Sequence, residues 1–558
     1  MRQKQILFLV PPNITFGHFV KPDPNMRQVI KGDGKAYGNL MTDMPIGLMS
    51  MSAYVKEKSQ VAVDIQLVDF NIELNNLDTF DYDSYLEYFL DYLSNQHSGY
   101  KPDIIGVSSL FTPSYFALLD LGRACRTRFP ESIIVAGGSV PSSMYKQIYS
   151  ATNDFDALCY GEGELPFLGL IESEDALSYI EENASWITKT KIDSGVVFEH
   201  HFIENLDEIP FYDYDLCDPV KYGINPGMTA YAPVKDKRTN AFHVMTSRGC
   251  PFKCTFCASH KVHGRKMRYY SLERVRADFD QLKNQYLAGT LIFQDDHLMG
   301  DVKRAYDIIR MVKELELTAI FQNGLALYAL DRKMLEALRD AGVTQLVLAA
   351  ESGSERVLKK VMRKPLKLSI VKQVANDCRD LGIYTNVNIL IGMPGETKED
   401  IEDSREFLKG INANWFIILA ASPLVGSEMY DICEEKGYLA DNYLGSDYRR
   451  AVVQTPDFSA QYIQEKMYEM NIELNFVENA DFRKGDYSTA LKGFENAIRA
   501  KNDHAIAYYF AAQCYEKLGD RLKGIEYMDK ARRYSRDSFW SKYIDKFKIP
   551  IVATTDER

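Results

Sequence analysis

Short apolar runs alternate with amphipathic stretches in two separate series along this chain, and nothing else in it narrows the possible folds as far. The first series runs through Gln5–Val10, Asp64–Val68, Asp103–Ser108, Ser132–Ala136 and Ala157–Cys159, with helix-period segments such as Gly47–Lys58 and Ser114–Arg128 between them. Strands alternating with helices predict a parallel sheet with right-handed crossovers. Residues 1–185 are therefore expected to form an open, doubly wound α/β domain of Rossmann-like type, with its ligand beyond the carboxyl ends of the strands. The second series has six apolar runs: Ala241–Thr246, Thr290–Gln294, Thr318–Gln322, Gln345–Ala350, Asn386–Ile391 and Trp415–Ala421. It predicts a partial (β/α)6 barrel over 241–450, with its chemistry at the C-terminal strand ends.

The segments outside these series read differently. Residues 186–240 carry Glu208-Ile-Pro-Phe-Tyr-Asp213 and the prolines Pro219, Pro226 and Pro233, the composition of a linker. After residue 450 the pattern turns helical. Gly485-Asp-Tyr is followed 34 residues later by Gly519-Asp520, the tetratricopeptide period, so 451–558 is expected to be a small all-α layer of such hairpins. The tyrosine-rich stretch Tyr82, Tyr85, Tyr88, Phe89 and Tyr92 has helical spacing and reads as packing.

Net charge of −12 and the lack of a long basic run argue against a nucleic-acid partner. No apolar stretch approaches the ~20 residues needed to cross a bilayer, and the start has no signal-peptide pattern, so a cytoplasmic location is expected. Six of the nine cysteines are scattered singly and read as buried small side chains.

The other three lie in Gly249-Cys-Pro-Phe-Lys-Cys-Thr-Phe-Cys257, directly after the first strand of the second series. Cys250, Cys254 and Cys257 place three thiolates on one short loop, which suits one face of a 4Fe–4S cluster with one iron left open. A zinc site completed by His260 or His263 is the competing reading.

On this motif the chain resembles the radical S-adenosylmethionine enzymes, and within them the subgroup with an N-terminal cobalamin-binding domain, over roughly residues 5–445. The resemblance implies three cofactors: a 4Fe–4S cluster, S-adenosylmethionine and cobalamin. It implies that Phe256 lies near the adenine and Asp295, in Asp295-Asp296, receives the methionyl ammonium. Glu351 and Ser352, in Ala350-Glu-Ser-Gly-Ser354, match the ribose-binding segment, and Gly392 and Met393, in Gly392-Met-Pro-Gly-Glu396, match the backbone along the adenine. For cobalamin it points to Ser108, Leu110 and Thr112 after the third strand, Gly137 and Gly138 after the fourth, and Gly161 and Glu162 after the fifth. The loop after the first strand, Pro11-Pro-Asn-Ile-Thr-Phe-Gly17, departs from the usual Asp-x-His-x-x-Gly, so no protein histidine is expected beneath the cobalt, and His18 is out of context. Arg265 and Arg268 could bear on the cluster's charge or lie solvated.

The resemblance implies a cobalamin-dependent methylase that acts on a carbon centre through a 5′-deoxyadenosyl radical. A cyclase or rearrangement enzyme on the same scaffold, or an enzyme that has lost cobalamin, are the alternatives. A reductase, flavodoxin or ferredoxin would supply electrons. The substrate would be a small molecule or peptide, and the C-terminal helices could dock a protein.

Overall fold

Each expected strand of the first series forms, and the chain order places them around the first. The computed structural model describes residues 3–22, 28–97, 99–222, 240–440, 443–445 and 448–551. Lys4–Val10 sits centrally, with Val63–Asp69 on one side and Ile104–Ser108, Ile133–Gly137 and Ala157–Cys159 in turn on the other, all parallel. The chain thus reverses its winding direction between Lys4–Val10 and Ile104–Ser108, and a crevice opens there at the carboxyl ends. The strands are apolar on both faces because helices cover both: Ile6, Leu7, Phe8 and Leu9 are wholly buried. Tyr85, Tyr88 and Phe89 pack in this core, and Phe89 lies 4.5 Å from the Phe70 ring.

The sheet runs past the expected boundary. Trp186–Ile187 pairs antiparallel with Leu158 and Cys159 as a sixth strand, so the segment read as linker from residue 186 begins by closing the first domain. Two residues flanked by Ala184-Ser185 and Thr188-Lys189 are too short for an apolar pattern to reveal them. Pro219 starts a short helix, Pro219–Tyr222, whereas Pro226 and Pro233 fall outside the described residues.

The second series also forms six parallel strands, but in two sheets. Asn240–Val244, Ala288–Phe293 and Thr318–Phe321 make one, and Gln345–Glu351, Tyr384–Ile391 and Trp415–Ala420 the other. No ladder joins Thr318–Phe321 to Gln345–Glu351 among the described residues. Capped helices link the strands. Ser271, Asp301 and Asp331 each accept a first-turn N–H, and Thr397 with Asp400 forms a reciprocal capping box.

Beyond the last strand, helix Ala460–Ile472 lies along it and continues through a wider turn at Glu473–Val477. Asn475 treats the strand as a further strand would: it accepts the Phe416 N–H at 2.7 Å and donates to the Phe416 carbonyl at 2.8 Å. Helices Tyr487–Ala500, Ala505–Lys517, Arg521–Tyr534 and Ser538–Phe547 follow, around a core that includes Phe494, Phe510 and Trp540. Among the described residues no helix is long and apolar enough to cross a membrane.

Candidate functional site

The cysteine loop rides on a hairpin. After the first barrel strand, Ser247–Arg248 pairs antiparallel with Arg268–Tyr269, and the three cysteines lie in the connection. Gly249, at φ +95°, starts that connection where an added Cβ would stand 2.3 Å from the Lys266 carbonyl oxygen, so only glycine fits. Thr255 ties the loop to the turn after the fourth barrel strand, its N–H to the Met362 carbonyl at 3.0 Å and its hydroxyl to that of Val361 at 2.9 Å.

Cys250, Cys254 and Cys257 are free and half-buried. Burial pushes the Cys250 thiol up to about 11 and raises that of Cys254, and each of the three sulfurs bears electrostatically on another. Three free thiols on one loop, within mutual electrostatic reach, fit a cluster's three protein-held irons; the cationic group would favour the thiolate form that burial opposes. Among the described residues no three His, Cys, Asp or Glu side chains assemble around a single metal ion. His263 is engaged elsewhere, its Nδ1 2.7 Å from an Asp296 carboxylate oxygen.

The expected S-adenosylmethionine residues divide. Phe256 is half-buried beside the cluster loop, with the Lys364 ammonium 6.0 Å from its ring centre. Glu351 ends the fourth barrel strand at φ +65°, a strained conformation for a side chain of its size, and sits 3.3 Å from the Lys364 ammonium. Cys254 lies within electrostatic reach of both Glu351 and Lys364. Gly392, at φ +90°, and Met393 both give their N–H to Glu396, at 2.6 and 3.1 Å. That carboxyl is wholly buried, and burial lifts its pKa to about 8.

Two expectations are corrected. The Asp295 carboxylate faces the protein interior: it accepts the Thr246 N–H through both oxygens at 3.1 Å, the Thr246 hydroxyl at 2.8 Å and that of Ser247 at 2.6 Å. Those three donors let it brace the end of the first barrel strand, and it does not line the cavity. Its neighbour Asp296 lines the cavity. Burial opposes ionisation of Asp296, but the His263 ring, the Gly249 N–H and Arg248 together outweigh it and hold the carboxyl below its usual range. Ser352 is also wholly buried; its hydroxyl lies 3.2 Å from that of Ser404 and accepts the Ser354 N–H at 3.1 Å, so it shapes the turn and does not line the cavity.

All seven residues expected at cobalamin line one cavity of about 980 Å³ between the carboxyl-terminal strand ends of the two α/β units. Ser108, Leu110, Thr112, Gly137, Gly138, Gly161 and Glu162 contribute from the first, and Cys257, His263, Gln294, Asp296 and Asn323 from the barrel. Gly138 is dictated by φ +97° and by the Ser109 carbonyl oxygen, 2.6 Å from where a Cβ would stand. Glu162 is a third correction: its carboxylate is taken by Arg268, with contacts of 2.9 and 2.5 Å, and by Arg248 at 3.1 Å. Arg268 is accordingly buried and not solvated, its guanidinium held by Glu162 and the Ile203 and His263 carbonyls.

His18, set aside on its sequence context, lines the same cavity, as do Tyr448 and Arg449 after the last barrel strand. A pairing signal existed only for Asp296, through its place beside Asp295; nothing in local spacing marks His18, Tyr448 or Arg449.

Residues 42–171 match the family model described as the B12 binding domain, and residues 244–408 that of the radical SAM superfamily. The chain belongs to the radical S-adenosylmethionine enzymes that carry a B12-binding domain. Cofactors of this enzyme are thus a 4Fe–4S cluster, S-adenosylmethionine and cobalamin. Among similar proteins is the cytidylyl-2-hydroxyethylphosphonate methyltransferase of Streptomyces wedmorensis, 26% identical over 70% of this chain and 79% of that protein. The hopanoid C-3 methylase of Methylococcus capsulatus is 22% identical over 82% of each. The fold is shared with two solved structures. The radical S-adenosylmethionine methyltransferase TsrM from Kitasatospora setae gives a TM-score of 0.54 at 14% identity, covering 96% of this chain and 100% of that one. The cobalamin-dependent S-adenosylmethionine radical enzyme OxsB gives 0.57 at 14%, covering 98% and 81%.

Proposed function

We propose that this radical S-adenosylmethionine enzyme is a methylase that adds a methyl group to a carbon centre of its substrate. The observation that carries this reading is the single cavity that brings the loops of the B12-binding domain opposite Cys257, His263 and Asp296. Relatives named as methyltransferases and methylases support it. When bound, the cluster supplies a reducing electron, S-adenosylmethionine supplies the methyl group and the hydrogen-abstracting 5′-deoxyadenosyl radical, and cobalamin supplies a methyl carrier.

The chain's own residues hold and orient these groups. Cys250, Cys254 and Cys257 ligate the cluster. Asp296, kept ionised by His263, receives the methionyl ammonium in place of Asp295. Glu351 accepts from the ribose hydroxyls, its geometry fixed by the positive φ and by Lys364, while Phe256 and the Gly392–Met393 backbone flank the adenine. Ser108, Leu110, Thr112, Gly137, Gly138 and Gly161 border the corrin and its tail. The walls of the two folded units on either side of the cavity limit the access of bulk water to a reactive site.

A reductase, flavodoxin or ferredoxin delivers the electron. The C-terminal helices form a tetratricopeptide-like layer that docks a protein partner; Asp486 and Asp520, 34 residues apart, each cap the helix that follows them, which supports the repeat. A radical cyclase is the second reading, favoured by 26% identity over 324 residues to the anaerobic magnesium-protoporphyrin IX monomethyl ester cyclase of Rubrivivax gelatinosus.

The test is anaerobic purification with hydroxocobalamin, followed by turnover of candidate substrates with dithionite and S-adenosylmethionine deuterated in its methyl group. Bound corrin and a product heavier by one CD3 in place of hydrogen are expected. A chain that never retains corrin would refute the methylase, and a product without the label would favour the cyclase.

A further inference from the structure

Four charged side chains are buried together where the B12-binding domain meets the cysteine hairpin. Glu162 and Glu164 come from the loop after the fifth strand of that domain; Arg248 and Arg268 face each other across the hairpin, Arg248 two residues before Cys250. All four are under 5% exposed. Glu162 bridges both arginines, while Glu164 accepts from Arg248 at 2.7 Å and from the Ser50 hydroxyl at 2.6 Å. Arg268 also donates to the Ile203 and His263 carbonyls at 3.0 and 3.2 Å, and the Phe202 ring covers its guanidinium at 4.2 Å.

Two positive and two negative charges balance, and the paired geometry is specific to guanidinium and carboxylate. Any slip of one unit against the other strands an unpaired charge in a buried interface, which is strongly disfavoured. The contact therefore has one low-energy arrangement rather than a range. It lies between the two sides of the cofactor cavity.

We propose that Glu162, Glu164, Arg248 and Arg268 form a charge clamp that fixes the spacing between the corrin-binding loops and the cluster loop, and that these are positioning residues for methyl transfer. This rests on the cofactor placement given above. It also accounts for two carboxylates in Tyr160-Gly-Glu-Gly-Glu164 that a corrin-binding role leaves unexplained.

Two variants of the full-length chain test it. Glu162→Gln removes the bridging charge; Glu162→Leu/Arg268→Met removes a balanced pair and leaves no lone charge, so it keeps the fold even where the single variant does not. In the cofactor-free proteins, hydrogen exchange at 160–164 and 247–269 is expected to quicken in both segments together. In protein loaded with cluster and cobalamin, pulsed EPR between the reduced cluster and cob(II)alamin should show a widened distance distribution. Methylated product per 5′-deoxyadenosine should fall by roughly a hundredfold, the scale of a misplacement of about 1 Å, while 5′-deoxyadenosine formation itself holds. A double variant with unchanged exchange, a narrow distribution and an unchanged product ratio would overturn the clamp. Should even the wild-type chain fail to hold corrin, the cofactor placement fails, and the exchange measurement alone decides whether the clamp exists.

Discussion

The buried carboxyl of Glu396 makes stability depend on pH in a calculable way. Only one of its oxygens is used, accepting from Gly392 and Met393, while the other is buried without a partner. Burial lifts its pKa from 4.5 to about 8, so the folded chain holds a proton there that the unfolded chain releases. A raised carboxyl pKa means that stability falls as pH rises from the unfolded value through the folded one, here from about pH 4.5 to beyond 8. Between pH 7 and 9 the unfolded carboxyl stays ionised while the folded one gives up its proton, and the native state loses about 1.4 kcal/mol through this residue. Glu396→Gln keeps the acceptor for both N–H groups and removes the titration. Urea unfolding of wild type and variant at pH 6, 7, 8 and 9, followed by the fluorescence of Trp186, Trp415 and Trp540, should show the variant drawing steadily ahead of wild type as pH rises. By pH 9 the variant should have gained about 1.4 kcal/mol relative to wild type over its standing at pH 7. Parallel profiles for the two proteins would refute the reasoning, because they would mean that Glu396 is ionised throughout.

Other substitutions separate the roles assigned above. Asp295→Ala should lower the unfolding midpoint, leaving buried donors from Thr246 and Ser247 unpaired at ~1–3 kcal/mol each, whereas Asp296→Ala should chiefly raise the S-adenosylmethionine Kd measured by calorimetry on reconstituted protein. Asn475→Ala leaves the Phe416 N–H and carbonyl without partners and should cost ~2–4 kcal/mol in denaturant unfolding, with the helical tail loosening first in hydrogen exchange. Gly138→Ala meets both a positive φ and the Ser109 carbonyl, so corrin retention on gel filtration should drop sharply while the barrel's cluster absorbance survives. Replacing all three of Cys250, Cys254 and Cys257 by Ala should abolish the broad near-420 nm absorbance after reconstitution, with far-ultraviolet circular dichroism unchanged.

The strands were legible because burial on both faces writes itself as apolar runs, and the loops at their carboxyl ends could be placed from those runs alone. The glycines expected at cobalamin came from the family resemblance and not from those runs; Gly138 and Gly161 do sit at positive φ hard against a neighbour, whereas Gly137 simply ends its strand. What the sequence hid was the destination of polar side chains. Asp295 and Asp296 are chemically alike and adjacent, and only the opposite facing of successive residues at a strand end sends one to Thr246 and the other to the cavity. Glu162 likewise lies in the cofactor loop, yet its partners Arg248 and Arg268 are more than 80 residues away, and no local pattern reports a pairing at that range. Trp186–Ile187 was too short a strand to leave a period.

The way Asn475 occupies the last barrel strand also bears on how this protein can be divided. Among the described residues no further strand pairs with the far side of the outer strand, Trp415–Ala420; the Tyr448 carbonyl takes the Ala420 N–H at 2.9 Å, and the Asn475 amide meets Phe416 there. An exposed parallel edge of six apolar residues is a template for pairing with other chains. A fragment cut after the barrel at residue 450 would keep every residue proposed to hold a cofactor and yet expose that rim, which the helical tail covers in the full chain.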